Sequence, residues 1–142
     1  MSPSVVLGEE TQLSLPGKLH HVGIACRDLL ATRDWVRATF PVSFDSGVIH
    51  DPVQDADLCL LHVSNQMAIE LVSGPVVQGM LRRRTSYYHL CYEVDDISTS
   101  IAALEADGCR LISGPVPAIL FGGRPVAFLL SPIGLLELLG AE

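Results

Sequence analysis

Basic residues are scarce in this chain. Nine Lys and Arg stand against sixteen Asp and Glu, a formal net charge of −7. A nucleic-acid surface needs a basic stripe, and the only basic cluster is Arg82-Arg83-Arg84, so nucleic acid is excluded as a partner. No apolar run approaches the roughly 18 residues of a membrane span. The N-terminus lacks a charged region followed by an apolar one, so neither a membrane protein nor a signal peptide is expected. CxxC spacing is also missing. Of the four cysteines, Cys26, Cys59 and Cys91 fall in predicted strands, where a reduced thiol behaves as a small hydrophobe. With Cys109, they suggest a reduced, cytoplasmic protein without disulfides.

The chain does contain a repeat. Leu19 to Cys26 reads as a strand, Asp28 as a helix cap, and Asp28 to Phe40 as a helix with Leu29, Trp35 and Val36 for the core, stopped by Pro41. The second copy has strand Tyr87 to Val94, capping acids Asp95-Asp96, and a helix with Ile97, Ile101 and Leu104 at helical spacing. His21 and His89 occupy the same place in the two copies, 68 residues apart (from 21 to 89). Gly23 and Ala25 share the face of His21 and leave room in front of it.

Three further strands are expected in each half. In the first, pieces at Val42–Phe44 and Val48-Ile49 precede a turn at His50-Asp51-Pro52. A hairpin then joins Asp57–Val63 to Met67–Val72. If Asn65-Gln66 is its turn, Leu61 opposes Glu70, and Asp57 shares the face of Glu70. In the second half, strands Cys109–Ile112, Pro125–Leu130 and Leu135–Leu139 surround a loop at residues 113–123. The predicted fold class is α+β: two βαβββ modules forming a cupped mixed sheet. Residues 1–17 form an arm that Leu13 and Leu15 lay along an edge. A single domain spans 18–142, with module 1 at 18–75, a linker at 76–85 and module 2 at 86–142.

Each half also carries one acid inside an apolar strand. Glu70 lies 49 residues after His21 (21 to 70), and Glu137 lies 48 after His89 (89 to 137). A carboxylate flanked by Ile and Leu is costly to bury alone. One divalent ion (Zn, Co, Ni, Mn or Fe) shared by His21, Glu70, His89 and Glu137 would offset that cost. His20, His50 and His62 read as surface or packing residues, and Cys59 and Cys91 as core thiols.

These motifs resemble the vicinal oxygen chelate (glyoxalase/bleomycin-resistance) superfamily, and within it the methylmalonyl-CoA epimerase branch. The carrying segments are His21-Val22-Gly23-Ile24-Ala25-Cys26-Arg27-Asp28-Leu29, Ile69-Glu70-Leu71-Val72-Ser73-Gly74-Pro75, Tyr88-His89-Leu90-Cys91-Tyr92-Glu93-Val94-Asp95-Asp96-Ile97, Gly123 to Pro132, and Gly134-Leu135-Leu136-Glu137-Leu138. The resemblance covers residues 18–139 and implies the same four metal ligands. It departs at Tyr88, where the branch has a second histidine, and at Ser131-Pro132, where it has His-Pro. Its catalytic glutamate aligns near Asp57, so Asp57 and Glu137 are the expected acid–base pair. The implied function is epimerisation or isomerisation by proton transfer next to a carbonyl, on an acyl thioester such as methylmalonyl-CoA, with coenzyme A or a carrier as the thiol. Arg82-Arg83-Arg84 could meet its phosphates. The alternatives are a glyoxalase-I-like lyase and a non-catalytic small-molecule-binding protein. A chain with 49% hydrophobic residues and apolar positions at Leu136 and Leu138 is further expected to form a homodimer.

Overall fold

Two strands that begin with a bare stretch of Lys-Leu-His-His and Tyr-Tyr-His-Leu lie side by side at the centre of the molecule. They are β1 (Lys18–Ala25) and β6 (Tyr87–Glu93), and they pair antiparallel. The computed structural model describes residues 15–64 and 66–141. Residues 1–14 of the expected arm, including Leu13, and Asn65 of the expected turn lie outside them.

Each central strand leads into a helix capped by the acid that the repeat predicts. The Asp28 carboxylate accepts from the Ala31 amide at 3.0 Å and opens α1 (Leu29–Thr39). The Asp96 carboxylate accepts from Thr99 at 3.0 Å and opens α3 (Ile97–Ala106). Between the halves, a 3-10 turn at Pro75–Val77 runs into α2 (Gln78–Arg82). The first half continues with β2 (Val42–Asp45), β3 (Ile49–Asp51), β4 (Ala56–Val63) and β5 (Ala68–Ser73). The second continues with β7 (Arg110–Pro117), β8 (Pro125–Ser131) and β9 (Gly134–Leu139). All strands form one mixed sheet in the order β2-β4-β5-β1-β6-β9-β8-β7, with β3 paired to β4. The sheet is cupped rather than closed. β5 joins β1 in parallel and β9 joins β6 in parallel, so the halves are related by the β1–β6 seam.

Strand alternation sorts the core into an outer and a cup side. On the outer side, Leu29 and Val36 of α1 pack on Cys59, Leu61 and Leu71, and Ile101 of α3 packs on Ala127, Leu129 and Leu138. On the cup side, Val77 and Leu81 meet Ala25, Ala56, Leu58 and Val72, while Ala118 meets Cys91, Val126 and Leu139.

Five expectations are corrected here. The hairpin register places Leu60, not Leu61, opposite Glu70. Trp35 is 60% exposed, edge-on to Phe40, instead of entering the core. Strand β7 extends through the expected loop to Pro117, because as an edge strand it tolerates prolines that lack a donor. His50 and Asp51 belong to β3, and the turn begins at Pro52, where Asp51 accepts the Val53 amide. Leu138, which the sequence offers as an apolar outer position, is fully buried under α3.

Asp45 ties α1 to the sheet. Its carboxylate accepts from Arg33 at 2.8 Å and Arg37 at 2.7 Å, and from the Gly47 amide and the Cys59 thiol. Burial would raise its pKa, but the Gly47 amide, the Arg33 guanidinium and its other donors hold it down to about 2. A folded pKa below the unfolded value of about 3.9 stabilises at neutral pH, and the contribution is lost as pH falls through that window. Asp45→Ala is expected to cost about 1–3 kcal/mol at pH 7. The penalty should shrink as pH falls from about 4 towards 2, as read from urea unfolding across a pH series.

Candidate metal centre

The β1–β6 register sets Gly23 opposite His89 and His21 opposite Cys91. Both histidines therefore face the cup. The parallel neighbours bring the acids alongside: Glu70 pairs with Gly23, and Glu137 pairs with Cys91. All four residues are buried, none more than 5% exposed. Gly23 is needed here for space, since a methyl at that position would overlap the His89 ring.

The donor atoms converge. His21 Nε2 and His89 Nε2 are 3.1 Å apart. Glu137 Oε1 lies 3.0 Å from each of them, and Glu70 Oε1 lies 3.5 Å from His21 and 3.2 Å from His89. One ligand atom from each residue falls within 4.8 Å of the others. Atoms about 2.1 Å from a common ion lie about 3.0 Å apart as octahedral neighbours and about 3.4 Å apart in a tetrahedron. The observed spacings fit that range. Glu137 Oε1 is buried without an aligned hydrogen bond although two ring nitrogens sit 3.0 Å away. Four ligand-type atoms packed this closely could hold one ion.

Electrostatics within the cluster are strong. Burial alone would lower both imidazoles, but the Glu137 and Glu70 carboxylates lift His89 to about 9 and raise His21 as well. Burial would raise the carboxylates, but His21 and His89 hold Glu137 down to about 2 and lower Glu70.

Asp57 does not join this group. With Leu60 opposite Glu70, the cup-facing residues of β4 are Ala56, Leu58 and Leu60, and Asp57 turns to the other face. There it is half exposed and accepts from His50 Nδ1 at 2.9 Å. A one-residue register change is enough to swap faces. Arg82, Arg83 and Arg84 are all exposed, at the end of α2. Cys91 is buried on the cup side, whereas Cys59 lies on the outer side against Asp45.

Sequence reasoning missed three residues here. The β1–β6 ladder jumps from Leu19↔Tyr92 to His21↔Cys91 and from Gly23↔His89 to Ile24↔Tyr87. Each jump leaves one residue unpaired, His20 on β1 and Tyr88 on β6. A bulge of this kind re-aims a side chain. His20 Nδ1 contacts His21 Nδ1 at 2.9 Å. The Tyr88 ring packs in the cup cluster and lies edge-on to His89 at 4.7 Å. Burial, with Glu70 and Glu137, pushes the Tyr88 phenol up to about 12, so it stays protonated at neutral pH. Phe121, from the segment expected to be a loop, stacks on His21 at 5.5 Å. The signal for the first two was the same 68-residue offset: His20 and Tyr88 each directly precede a predicted ligand.

A family model described as the Glyoxalase/Bleomycin resistance protein/Dioxygenase superfamily matches residues 20–128. The chain belongs to this superfamily. A relative named ethylmalonyl-CoA/methylmalonyl-CoA epimerase, from Cereibacter sphaeroides, is 30% identical over 119 residues, 80% of this chain and 87% of its own. Among solved structures, methylmalonyl-CoA epimerase from Mycobacterium tuberculosis superposes with TM-score 0.74 at 20% identity, covering 88% of each chain. A Streptomyces coelicolor methylmalonyl-CoA epimerase in complex with 2-nitronate-propionyl-CoA gives TM-score 0.67 at 24% identity, covering 90% of this chain and 99% of its own. At these identities the structural matches establish the superfamily fold.

Purified protein should take up about one divalent ion per chain, and His89→Ala should abolish tight binding; metal analysis after dialysis reads both. Full occupancy in a His21→Ala/His89→Ala double variant would refute the four-residue site. Because a ligand imidazole must be neutral, uptake has to displace the protons that the two carboxylates stabilise. Apparent affinity should therefore climb as pH rises towards about 9, the His89 value, and level off above it. Competition against a chelator at a series of pH values tests this.

Proposed function

We propose that the protein epimerises the carbon next to the carbonyl of an acyl-CoA thioester of the methylmalonyl-CoA class. The observation that carries this reading is the convergence of His21, Glu70, His89 and Glu137 at the seam of a fold whose 30%-identical relative is named an epimerase of such thioesters. His21, Glu70, His89 and Glu137 would hold one divalent ion such as Zn, Co, Ni, Mn or Fe, which supplies Lewis-acid stabilisation of charge developing on the substrate carbonyl oxygen.

The rest of the chemistry falls to the chain. Glu137, one of the residues that would hold the ion, is the general base that takes the proton from the carbon beside the carbonyl. Leu58 and Leu60 line the cup with apolar surface, which limits water around a carbanion-like centre. An epimerase must also return a proton to the opposite side of the carbon. Tyr88 is a protonated group on the cup side suited to that step, whereas Asp57 lies on the other face. The exposed Arg82-Arg83-Arg84 run, at the end of the helix that packs over the first module's cup side, suits the phosphates of coenzyme A.

A second reading has an observation of its own. A glyoxalase-I-like lyase shifts a proton between adjacent carbons with a single base, and the apolar cup face of β4 supplies no second carboxylate.

Exchange of the α-proton of methylmalonyl-CoA with deuterated water, followed by NMR, separates the two. The expected result is exchange by ion-loaded wild type and a loss of roughly 10²–10⁴-fold in Glu137→Gln, with most of the ion retained. No exchange on a panel of acyl thioesters would refute epimerisation. Turnover of a hemithioacetal in its place would establish the lyase.

A further inference from the structure

We propose that His20 is a positioning residue that holds the ligand His21 in one tautomer and one orientation. This rests on the metal reading above, and its evidence is separate from the four ligands. In a regular strand, His20 and His21 would point to opposite faces. The bulge between Leu19 and His21 removes His20 from the ladder and turns it to its neighbour, Nδ1 to Nδ1, at 2.9 Å. One of these nitrogens donates and the other accepts. His21 must offer a bare Nε2 to the shared point, so its proton sits on Nδ1. The His21 Nδ1–H therefore donates to His20 Nδ1, and His20 carries its own proton on Nε2.

Phe121 completes the clamp. Its ring stacks on His21 at 22° between planes and meets His20 edge-on at 5.2 Å between centroids. His89, the counterpart of His21, is built differently: its Nδ1 is buried with no partner among the described residues. The two halves thus contribute a supported imidazole and an unsupported one. A hydrogen-bonded partner behind a ligand histidine fixes the ring and raises its basicity, and its loss typically weakens metal affinity about 10–100-fold.

The test compares zinc affinity, by chelator competition, in wild type, His20→Phe, His20→Ala, His20→Asn and the remote control His50→Ala. His20→Phe and His20→Ala should bind about 10–100-fold more weakly. His20→Asn, whose amide oxygen can accept the same hydrogen bond, should recover most of that loss, and His50→Ala should match wild type. Nitrogen-15 correlation spectra of the ion-free protein supply an independent readout: a His21 Nδ1–H signal protected in wild type and lost in His20→Phe and His20→Ala. Unchanged affinity in the Phe and Ala variants would overturn the proposal. So would two zinc ions per chain in wild type with one lost on substitution, which would make His20 and Cys91 ligands of a second ion. Failure of wild type to take up zinc would instead defeat the metal reading. The Nδ1–H signal would still decide the hydrogen bond, and its absence from wild type would overturn the role of His20.

Discussion

The pairing of β1 with β6 is the constraint on which the rest of the molecule depends. It is the seam between the halves, and its register alone puts two histidines on one face with their Nε2 atoms 3.1 Å apart. A slip of one residue would send one of them to the outer side. The seam also explains the residues opposite each ring. His89 faces Gly23, where any side chain would occupy its place, and His21 faces the small Cys91. The acids then follow without further adjustment, because β5 and β9 each run parallel to a central strand and deliver one glutamate apiece.

The parts of this arrangement that were legible in the sequence are those that depend on spacing. The repeat of His21 at His89, the matching distances to Glu70 and Glu137, and the capping acids Asp28 and Asp96 all survive in the structure as predicted. The parts that were not legible depend on register and bulges. Asp57 was assigned to the wrong face because the hairpin pairs Leu60 with Glu70, one residue from the alignment that the turn residues suggested. His20 and Tyr88 were hidden for a related reason. Alternation assigns neighbours to opposite faces, and only an extra unpaired residue brings two successive side chains to the same side. β7 was shortened because Gly114, Pro115 and Pro117 read as loop, although an edge strand accepts them.

Duplication supplied a symmetric frame that the sequence has since filled unequally. The bulged position holds histidine in one half and tyrosine in the other, and the position across from each central histidine holds glycine in one and cysteine in the other. The two histidines are alike, while their surroundings are not. One imidazole is backed by a ring nitrogen and an aromatic face, and the other lies between Tyr88 and Phe128. A symmetric frame with asymmetric walls suits a reaction whose substrate has two distinguishable sides.

Within each half, the strand that carries the histidine and the strand that carries the glutamate are hydrogen-bonded neighbours. A single ladder, β1 to β6, brings the two pairs together. Neither half holds more than a two-toothed claw, and a claw of two grips an ion loosely. The four-toothed grip exists only while the seam is closed. An ion at the centre would therefore act as a rivet across the seam of one continuous sheet, and the energy with which it binds would be shared with the energy that keeps the two halves together.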